Sequence, residues 1–318
     1  MPVAAADASK TRARWGVTVV RQRHRALVAL ALAAVLLFQA ISGPASAATQ
    51  LAALVAATSL GMPHGALDHL AAKPLLRPRF GRWWPAPFVA GYLGLAGLTV
   101  AIWTLAPGVA LAGFLGLAAV HFGLGDAEDG GRTDVFAVLA HGGAPIVVSA
   151  LAHSGEVARL FGLLAGDDAP PVLAALTGPV ALAWAAGMAM LAWRARSDQA
   201  ARAPLAELAA VVAAFALLPP LLAFALYFGA LHAPRALIGA TRDTGMPFPA
   251  LLRTAAVPSL AALVLIGGGA LLLWEGAEPS VALVRSLFIG LAALTAPHMA
   301  LAAWRELDAR RRSQEQRR

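Results

Sequence analysis

The sequence predicts an all-α fold, a polytopic transmembrane helical bundle with about eight or nine membrane helices. Three observations lead to this prediction. The chain of 318 residues is 59% hydrophobic and only 13% charged, whereas soluble domains carry roughly a quarter charged residues. Its apolar runs are about 20 residues long, which is enough to cross a bilayer as helices. Basic residues are concentrated before the first run and after the last, as in many membrane proteins.

Nine apolar runs follow one another along the chain, separated by stretches rich in proline, glycine and charged residues. We predict a single transmembrane helical domain over residues 26–305, between a basic N-terminal tail (1–25) and a basic C-terminal tail (306–318). The runs cover about 26–41, 50–72, 86–106, 108–125, 134–152, 172–194, 205–231, 256–275 and 280–304. The sequence shows no soluble domain and no internal repeat.

The first run, "ALVALALAAVLLFQAI", leaves two interpretations open. It is followed by "SGPASAATQ" and so resembles a signal peptide with a small-residue cleavage site. We favour an uncleaved membrane helix, because the next segment is also apolar. Six basic residues precede the run, so we expect a multi-pass protein of the bacterial inner membrane with a cytoplasmic N-terminus. Nine crossings would place the arginine-rich C-terminus outside, so its side stays open.

Composition excludes several kinds of site. The chain has no cysteine, which excludes disulfides, thiolate nucleophiles and cysteine-ligated metals. Its net charge of +8 would suggest a nucleic-acid partner in a soluble protein. Here nearly half of the basic residues lie in the two tails, where they are expected to face lipid headgroups. We therefore expect no nucleic-acid binding.

Six of the eight histidines lie within or at the edge of apolar runs. A charged side chain at the centre of a membrane helix costs roughly 2.5 to 3.5 kcal/mol, but histidine can be neutral there and is the commonest metal ligand. Separate helices of a bundle can bring such side chains together in its core. This favours a metal site, and interhelical hydrogen bonding is the alternative. The six are His64, His69, His121, His141, His232 and His298.

The stretch "GMPHGALDHL" (61–70) carries the first group of polar side chains. On one helix His64 and Asp68 are four residues apart and share a face. A carboxylate there can accept the second ring N–H of a metal-binding histidine and fix its orientation. His69 points elsewhere and is a poorer co-ligand, although it too can support the site. We expect Asp126, which follows His121, to orient a histidine in the same way.

Four motifs in order, "GMPHGALDH", "HFGLGD", "LHAPR" and "PHM", resemble the Brp/Blh family of bacterial membrane proteins. The second motif's histidine lies 57 residues after that of the first, and the resemblance spans about residues 55–305. These are the β-carotene 15,15'-dioxygenases that supply retinal to microbial rhodopsins. The resemblance implies an iron(II) enzyme with an all-helical membrane fold. It would cleave the central double bond of β-carotene with O2 to give two molecules of retinal.

The resemblance also implies a set of iron ligands, which are the catalytic residues. Three of them are His64, His121 and His232. The fourth family ligand lies four residues after the third, where this chain has Ala236. Three outcomes stay open: iron held by three histidines and water, a substitute ligand from His298 or His69, or a loss of dioxygenase activity.

The implied substrate is a long hydrocarbon that reaches the protein from the bilayer. An apolar tunnel open to lipid would suit it, because burial of apolar area drives binding. Neighbours of the histidines are candidates for the tunnel wall, with plain helix packing as the alternative for each: Phe122, Tyr227, Phe228 and Met299. Arg235 is expected to be an interface anchor.

Two other functions stay open. One is a non-enzymatic relative that binds or carries a carotenoid or retinal. The other is a transporter of metal ions or protons that uses the intramembrane histidines and aspartates as a relay. The partners expected for the enzyme are a carotenoid, O2, membrane lipid and, functionally, a microbial rhodopsin.

Overall fold

A computed structural model describes residues 23–274 and 278–316, which form thirteen α-helices joined by short turns. The helices are α1 (Arg23–Ser42), α2 (Ala47–Gly65), α3 (Asp68–Phe80), α4 (Pro85–Leu105), α5 (Pro107–Asp129), α6 (Val135–Ala152), α7 (Ser154–Ala165), α8 (Ala169–Ala175), α9 (Ala181–Ser197), α10 (Arg202–Leu217), α11 (Pro220–Thr244), α12 (Phe248–Trp274) and α13 (Pro279–Glu315). A π-helical turn, Leu176–Val180, joins α8 to α9.

The described part of the chain is helical throughout and contains no strand. Nine of its helical stretches are long and apolar enough to cross a membrane. They are α1, α4, α5, α6, the run from α7 to α9, α10 with the turn before it, α11, α12 and α13. These observations confirm the predicted fold class.

Two of the predicted runs are divided differently from what we expected. The run 50–72 is not one helix, because α2 ends at Gly65 and α3 begins at Asp68. Neither of the two is among the nine apolar stretches. Polar residues such as Gln50 and Thr58 lower the hydropathy of α2, and both side chains are buried. Helix α2 instead lies inside the bundle, packed against α11, α12 and α13.

The predicted run 205–231 is two helices. Helix α10 ends at Leu217, and Leu218 is extended with a ψ of 148°. Pro219 and Pro220 follow, and α11 begins at the second of them. A proline has no backbone N–H and disfavours helical geometry in the residue before it. The two prolines therefore stop one helix and start the next within an apolar stretch that hydropathy alone does not divide.

The closest helix packing in the site region joins α5 to α6. At Gly142 of α6 an added Cβ would fall well inside the contact distance of the Ala119 carbonyl of α5. At Gly123 of α5 it would meet the backbone of Val138 in the same way. Small residues that let two backbones approach are typical of membrane helix pairs. This packing fixes the position of α5 in the bundle.

We expect Gly142→Ala to destabilise the protein by about 3 kcal/mol or more, because the added methyl group meets a backbone carbonyl that cannot rotate away. Thermal unfolding in detergent would measure the change. Gly113→Ala on α5 is the matched control, since a Cβ there has no atom within 4 Å. Equal stability of the two variants would show that the two helices can separate without cost.

Ion pairs outside the apolar stretches hold helix ends together. The Asp134 carboxylate accepts hydrogen bonds from the first backbone amides of α6 and, at 2.7 Å, from the Arg194 side chain near the end of α9. Desolvation acts to raise the pKa of the Asp134 carboxyl, but the bonds from Arg194 and the Ala137 amide outweigh it and leave the pKa below its ordinary value. The charged form is thus the one that joins α6 to α9.

The structure also bears on the two predicted tails. Residues 1–22 of the N-terminal tail lie outside the described residues, and Arg25 already belongs to α1. The segment predicted as a C-terminal tail is helical through Glu315, as the continuation of α13. Pairs four residues apart, Arg310–Glu306 and Arg312–Asp308, each at 2.7 Å, support this last part of the helix.

Candidate metal centre

Three histidines from three helices meet in the interior of the bundle. His64 lies on α2, His121 on α5 and His232 on α11. One ring nitrogen from each lies within 4.8 Å of the other two. The Nε2 atoms of His121 and His232 are 3.0 Å apart. His232 is buried and the other two are half-buried.

Local structure sets the orientation of two of these rings. The Nδ1 of His64 lies 2.5 Å from the Gly61 carbonyl oxygen. A carbonyl can only accept, so Nδ1–H donates and the Nε2 lone pair is left for a metal. His232 ends a π-helical segment, Tyr227–His232, within α11. Such segments are rare and are often found at functional sites.

A fourth histidine, His298 on α13, stands beside the three. Its ring centroid is 4.9 Å from that of His121 and 6.3 Å from that of His64. Its Nδ1 donates to the Asp68 carboxylate at 2.7 Å, which leaves Nε2 free to bind a metal. This pairing differs from our expectation that Asp68 would hold His64. The break between α2 and α3 removes the shared helix face on which that expectation rested.

The other histidines of the apolar runs lie outside this group. The Nδ1 of His69 donates to the Ala66 carbonyl at 3.0 Å, an interaction within its own turn. A cavity is lined by His64, His121, His232 and His298, and His69 is not part of its wall. His141 is buried in α6. Neither side chain belongs to the group of three whose nitrogens lie together.

Aromatic side chains pack against one side of the histidine group. Phe122 lies 4.8 Å from His232 and Phe228 lies 5.5 Å from His64, as centroid distances. Tyr227 stacks 6.0 Å from His232 and is buried. Met299, which follows His298, is half-buried on α13. None of the predicted substrate-lining residues is part of the cavity wall described below.

A partly buried chain of charged groups runs next to the histidines. The Tyr227 hydroxyl donates to the Asp126 carboxylate at 2.6 Å, and an Arg235 guanidinium nitrogen lies 3.5 Å from the other Asp126 oxygen. Arg235 also donates to Glu207 on α10. Glu207 in turn pairs with Arg25 of α1 at 2.8 Å. This chain of contacts, which we call the charge network, connects α5, α11, α10 and α1.

The charge network differs from what the sequence suggested. Arg235, expected at the membrane interface, is only 9% exposed and lies inside the bundle. Asp126 binds Tyr227 and Arg235, and it also lines the cavity beside the histidines. Glu207 was missed altogether. A charge within an apolar run is costly unless it is paired, and that rule would have marked Glu207 as a residue that needs a partner without identifying Arg235.

A cavity of about 500 Å³ opens from the histidine group. His64, His121, His232 and His298 form its inner end. Helix α11 contributes small residues to the wall, Ala236, Gly239 and Ala240, and the segment around α3 contributes Leu70, Ala71 and Pro74. Charged side chains surround the far end, namely Glu128, Arg242, Asp243 and Arg305. Asp68, Asp126 and Arg235 also face the cavity.

The histidine group fits a transition-metal ion in its chemistry and spacing. Imidazole suits iron, zinc, copper and nickel. Two nitrogens that each lie about 2.1 Å from one ion at a right angle are about 3 Å apart, which is the separation of the His121 and His232 Nε2 atoms. All three nitrogens lie close enough for a small inward movement to place them on one ion. The site can therefore hold a metal with three nitrogen ligands.

Comparison with known proteins identifies similar chains. The profile of a protein family described as "Beta-carotene 15,15'-dioxygenase" matches residues 55–306. The chain is 29% identical over 254 residues to a "Beta-carotene 15,15'-dioxygenase" of an uncultured marine bacterium, 66A03, covering 78% of this chain and 91% of that one. It is 30% identical over 314 residues to the "Probable beta-carotene 15,15'-dioxygenase Blh" of Halobacterium salinarum, covering 87% and 90%. No solved structure matches the chain.

Proposed function

The chain belongs to the β-carotene 15,15'-dioxygenase family, and from that premise we propose that it is a membrane-embedded non-haem iron dioxygenase. It would cleave the central double bond of β-carotene with O2 to give two molecules of retinal. One observation carries the proposal: three histidine nitrogens from three helices lie within 4.8 Å of one another inside the region that the family profile covers.

Under this proposal His64, His121 and His232 hold iron(II) through ring nitrogens. The Gly61 carbonyl keeps His64 in the tautomer that offers Nε2. His298 stands close enough to act as a further, weaker ligand, with Asp68 orienting it. Once bound, the iron would supply the oxygen chemistry. A site with few protein ligands leaves coordination positions open for O2.

We propose that the carotenoid lies against the aromatic side of the histidine group. Phe122 and Phe228 contact the His232 and His64 rings there, and both are buried among apolar side chains. A polyene gains free energy by burial of apolar area on such a surface. The residues of this side would orient the central double bond and exclude water from it. Tyr227 would be held in place by its bond to Asp126.

Ala236 favours one alternative, a relative that binds a carotenoid or retinal without cleaving it. The side chain at position 236 faces the cavity one helical turn after His232 but cannot coordinate a metal. A weaker iron site would leave a binding protein with the same fold. This alternative predicts pigment bound to the purified protein and no turnover.

Expression in a β-carotene-producing bacterium tests the proposed function. We expect retinal in the cells and iron in the purified protein. Bound pigment with neither retinal nor iron would support the carrier instead. Well-folded protein with no retinal, no iron and no pigment would contradict both.

The contact between Asp68 and His298 gives a separate prediction about the metal. We expect Asp68→Asn to weaken metal binding by about 10- to 100-fold, the usual cost of removing a carboxylate that orients a histidine ligand. Competition with a chelating dye would measure the affinity. Asp167→Asn, in an exposed turn, is the matched control. Wild-type affinity in Asp68→Asn would show that His298 is not a ligand.

A further inference from the structure

The cavity beside the histidine group opens towards water. At its far end the side chain of Glu128 is 71% exposed, that of Asp243 57% and that of Arg242 48%. Arg242 joins the two acids, at 3.8 Å from Glu128 and 3.3 Å from Asp243. Exposed charges of both signs are costly in hydrocarbon. This end of the cavity therefore faces the aqueous phase or the headgroups and not the acyl chains.

The two sides of the histidine group differ in polarity. On one side Phe122 and Phe228 place apolar rings against those of His232 and His64. On the other side lies the cavity, which extends along α11 from His232 to Asp243. Eleven residues of helix correspond to about 16 Å. The histidines thus stand at one end of a passage lined by both charged and small apolar side chains, and Phe122 and Phe228 pack against them without lining it.

A divalent cation needs such a passage. Moving even a singly charged ion from water into a medium of low dielectric constant costs on the order of 20 kcal/mol before any relaxation, and the cost rises with the square of the charge. A divalent cation therefore cannot reach the histidines through lipid or through the aromatic side. The lining of the cavity carries four carboxylates, on Asp68, Asp126, Glu128 and Asp243, and three guanidinium groups, on Arg235, Arg242 and Arg305. The formal charge of the lining is therefore −1, which does not repel a cation.

We propose that this cavity is the access route through which a hydrated divalent cation travels from the aqueous phase to the histidine group. The proposal rests on the metal centre of the proposed function. Ala236, Gly239 and Ala240 have small side chains, which leave the cavity wide along α11. Water and the carboxylates along the passage keep the ion solvated until the imidazole nitrogens bind it.

A plug in the wall of the passage tests the proposal. Gly239 lines the cavity, and a Cβ there would have no atom within 4 Å, so the side chain of Gly239→Leu starts in open space. Gly113→Leu on α5 is the matched control, because Gly113 is exposed and equally unobstructed. Ala240→Leu is a second plug at the next position. Thermal unfolding of each variant shows whether it is folded.

The measurement is the rate at which metal-free protein in lipid nanodiscs takes up Co²⁺, followed by the visible absorption of the bound ion. We expect Gly239→Leu to slow uptake by about tenfold or more, because the ion must shed water to pass the leucine. Final occupancy should equal that of the wild type. Gly113→Leu should take up Co²⁺ at the wild-type rate.

Other results separate a failure of the access route from a failure of the proposed function. Uptake at the wild-type rate in both folded plug variants would place the route elsewhere. If Gly239→Leu takes up Co²⁺ at the wild-type rate but, once loaded with iron, loses β-carotene turnover, the cavity holds the carotenoid instead. If wild-type protein binds no Co²⁺ or Fe²⁺, the metal centre itself is wrong and the route with it. Metal binding without retinal formation would contradict the dioxygenase only, and the uptake rates would still decide the route.

Discussion

Replacing His121 by alanine is expected to abolish retinal formation and to remove most of the bound iron. His121 lies between the other members of the group, with its Nε2 3.0 Å from that of His232 and its ring 4.9 Å from that of His298. Loss of an outer hydrogen-bonding partner already weakens a metal site by about 10- to 100-fold. Loss of a central ligand should cost more than that, which leaves the site empty at cellular iron concentrations.

Retinal extracted from a β-carotene-producing host and iron per purified chain are the two measurements for His121→Ala. His153→Ala is the matched control, since His153 lies at the junction of α6 and α7, apart from the group. It should retain both retinal and iron. Full iron occupancy in a folded His121→Ala protein would mean that the metal is bound somewhere else.

A histidine at position 236, where the resemblance to the Brp/Blh family implies a fourth ligand, is expected to tighten metal binding in Ala236→His by about tenfold or more, equivalent to about 1.4 kcal/mol. Position 236 is four residues after His232 and therefore on the same helix face. It also lines the cavity at the end where the histidines meet. A histidine there can add a nitrogen to the group without displacing another side chain of the group.

Metal affinity of Ala236→His, measured by competition with a chelating dye, should exceed that of the wild type. Gly239→His is the matched control, because it adds the same side chain to the same cavity wall nearly one turn further from the group. If both variants bind metal with wild-type affinity, the alanine does not limit the site. If both bind more tightly, the gain comes from any imidazole in the cavity and not from the family position.

The fold class was predictable from sequence for physical reasons, and so were the six intramembrane histidines from which the cluster is drawn. The resemblance to the Brp/Blh family, not physical reasoning, singled out His64, His121 and His232 among them. A membrane tolerates few polar groups, so long apolar runs reveal the helices and each intramembrane histidine stands out. Pairings between distant residues were not predictable. Asp68 binds His298, 230 residues away, because the chain turns between α2 and α3 and removes the helix face shared with His64.

Two other features lay beyond a hydropathy pattern. The pair of prolines that divides α10 from α11 sits inside an apolar stretch, where it does not lower the hydropathy enough to be seen. The charge network depends on Glu207 and Arg235 facing inward, and single positions on a helix do not reveal their direction without its neighbours. Both features depend on where a residue stands along its helix and on which way it faces, more than on the average composition of the helix.

The winding of helix α11 determines where along it a residue can be gained or lost. In its π-helical segment, Tyr227–His232, each backbone hydrogen bond joins residues five apart, which is one residue more than in an α-helix. A loss within the segment can be absorbed, because the wide turn already holds the additional residue. Deleting one residue in the α-helical part of α11 before the segment would instead swing everything after it by about 100° about the axis. The imidazole of His232 and the guanidinium of Arg235 would then lose their alignment with partners on α5. Gains or losses of one residue before the segment are thus far less tolerable than substitutions.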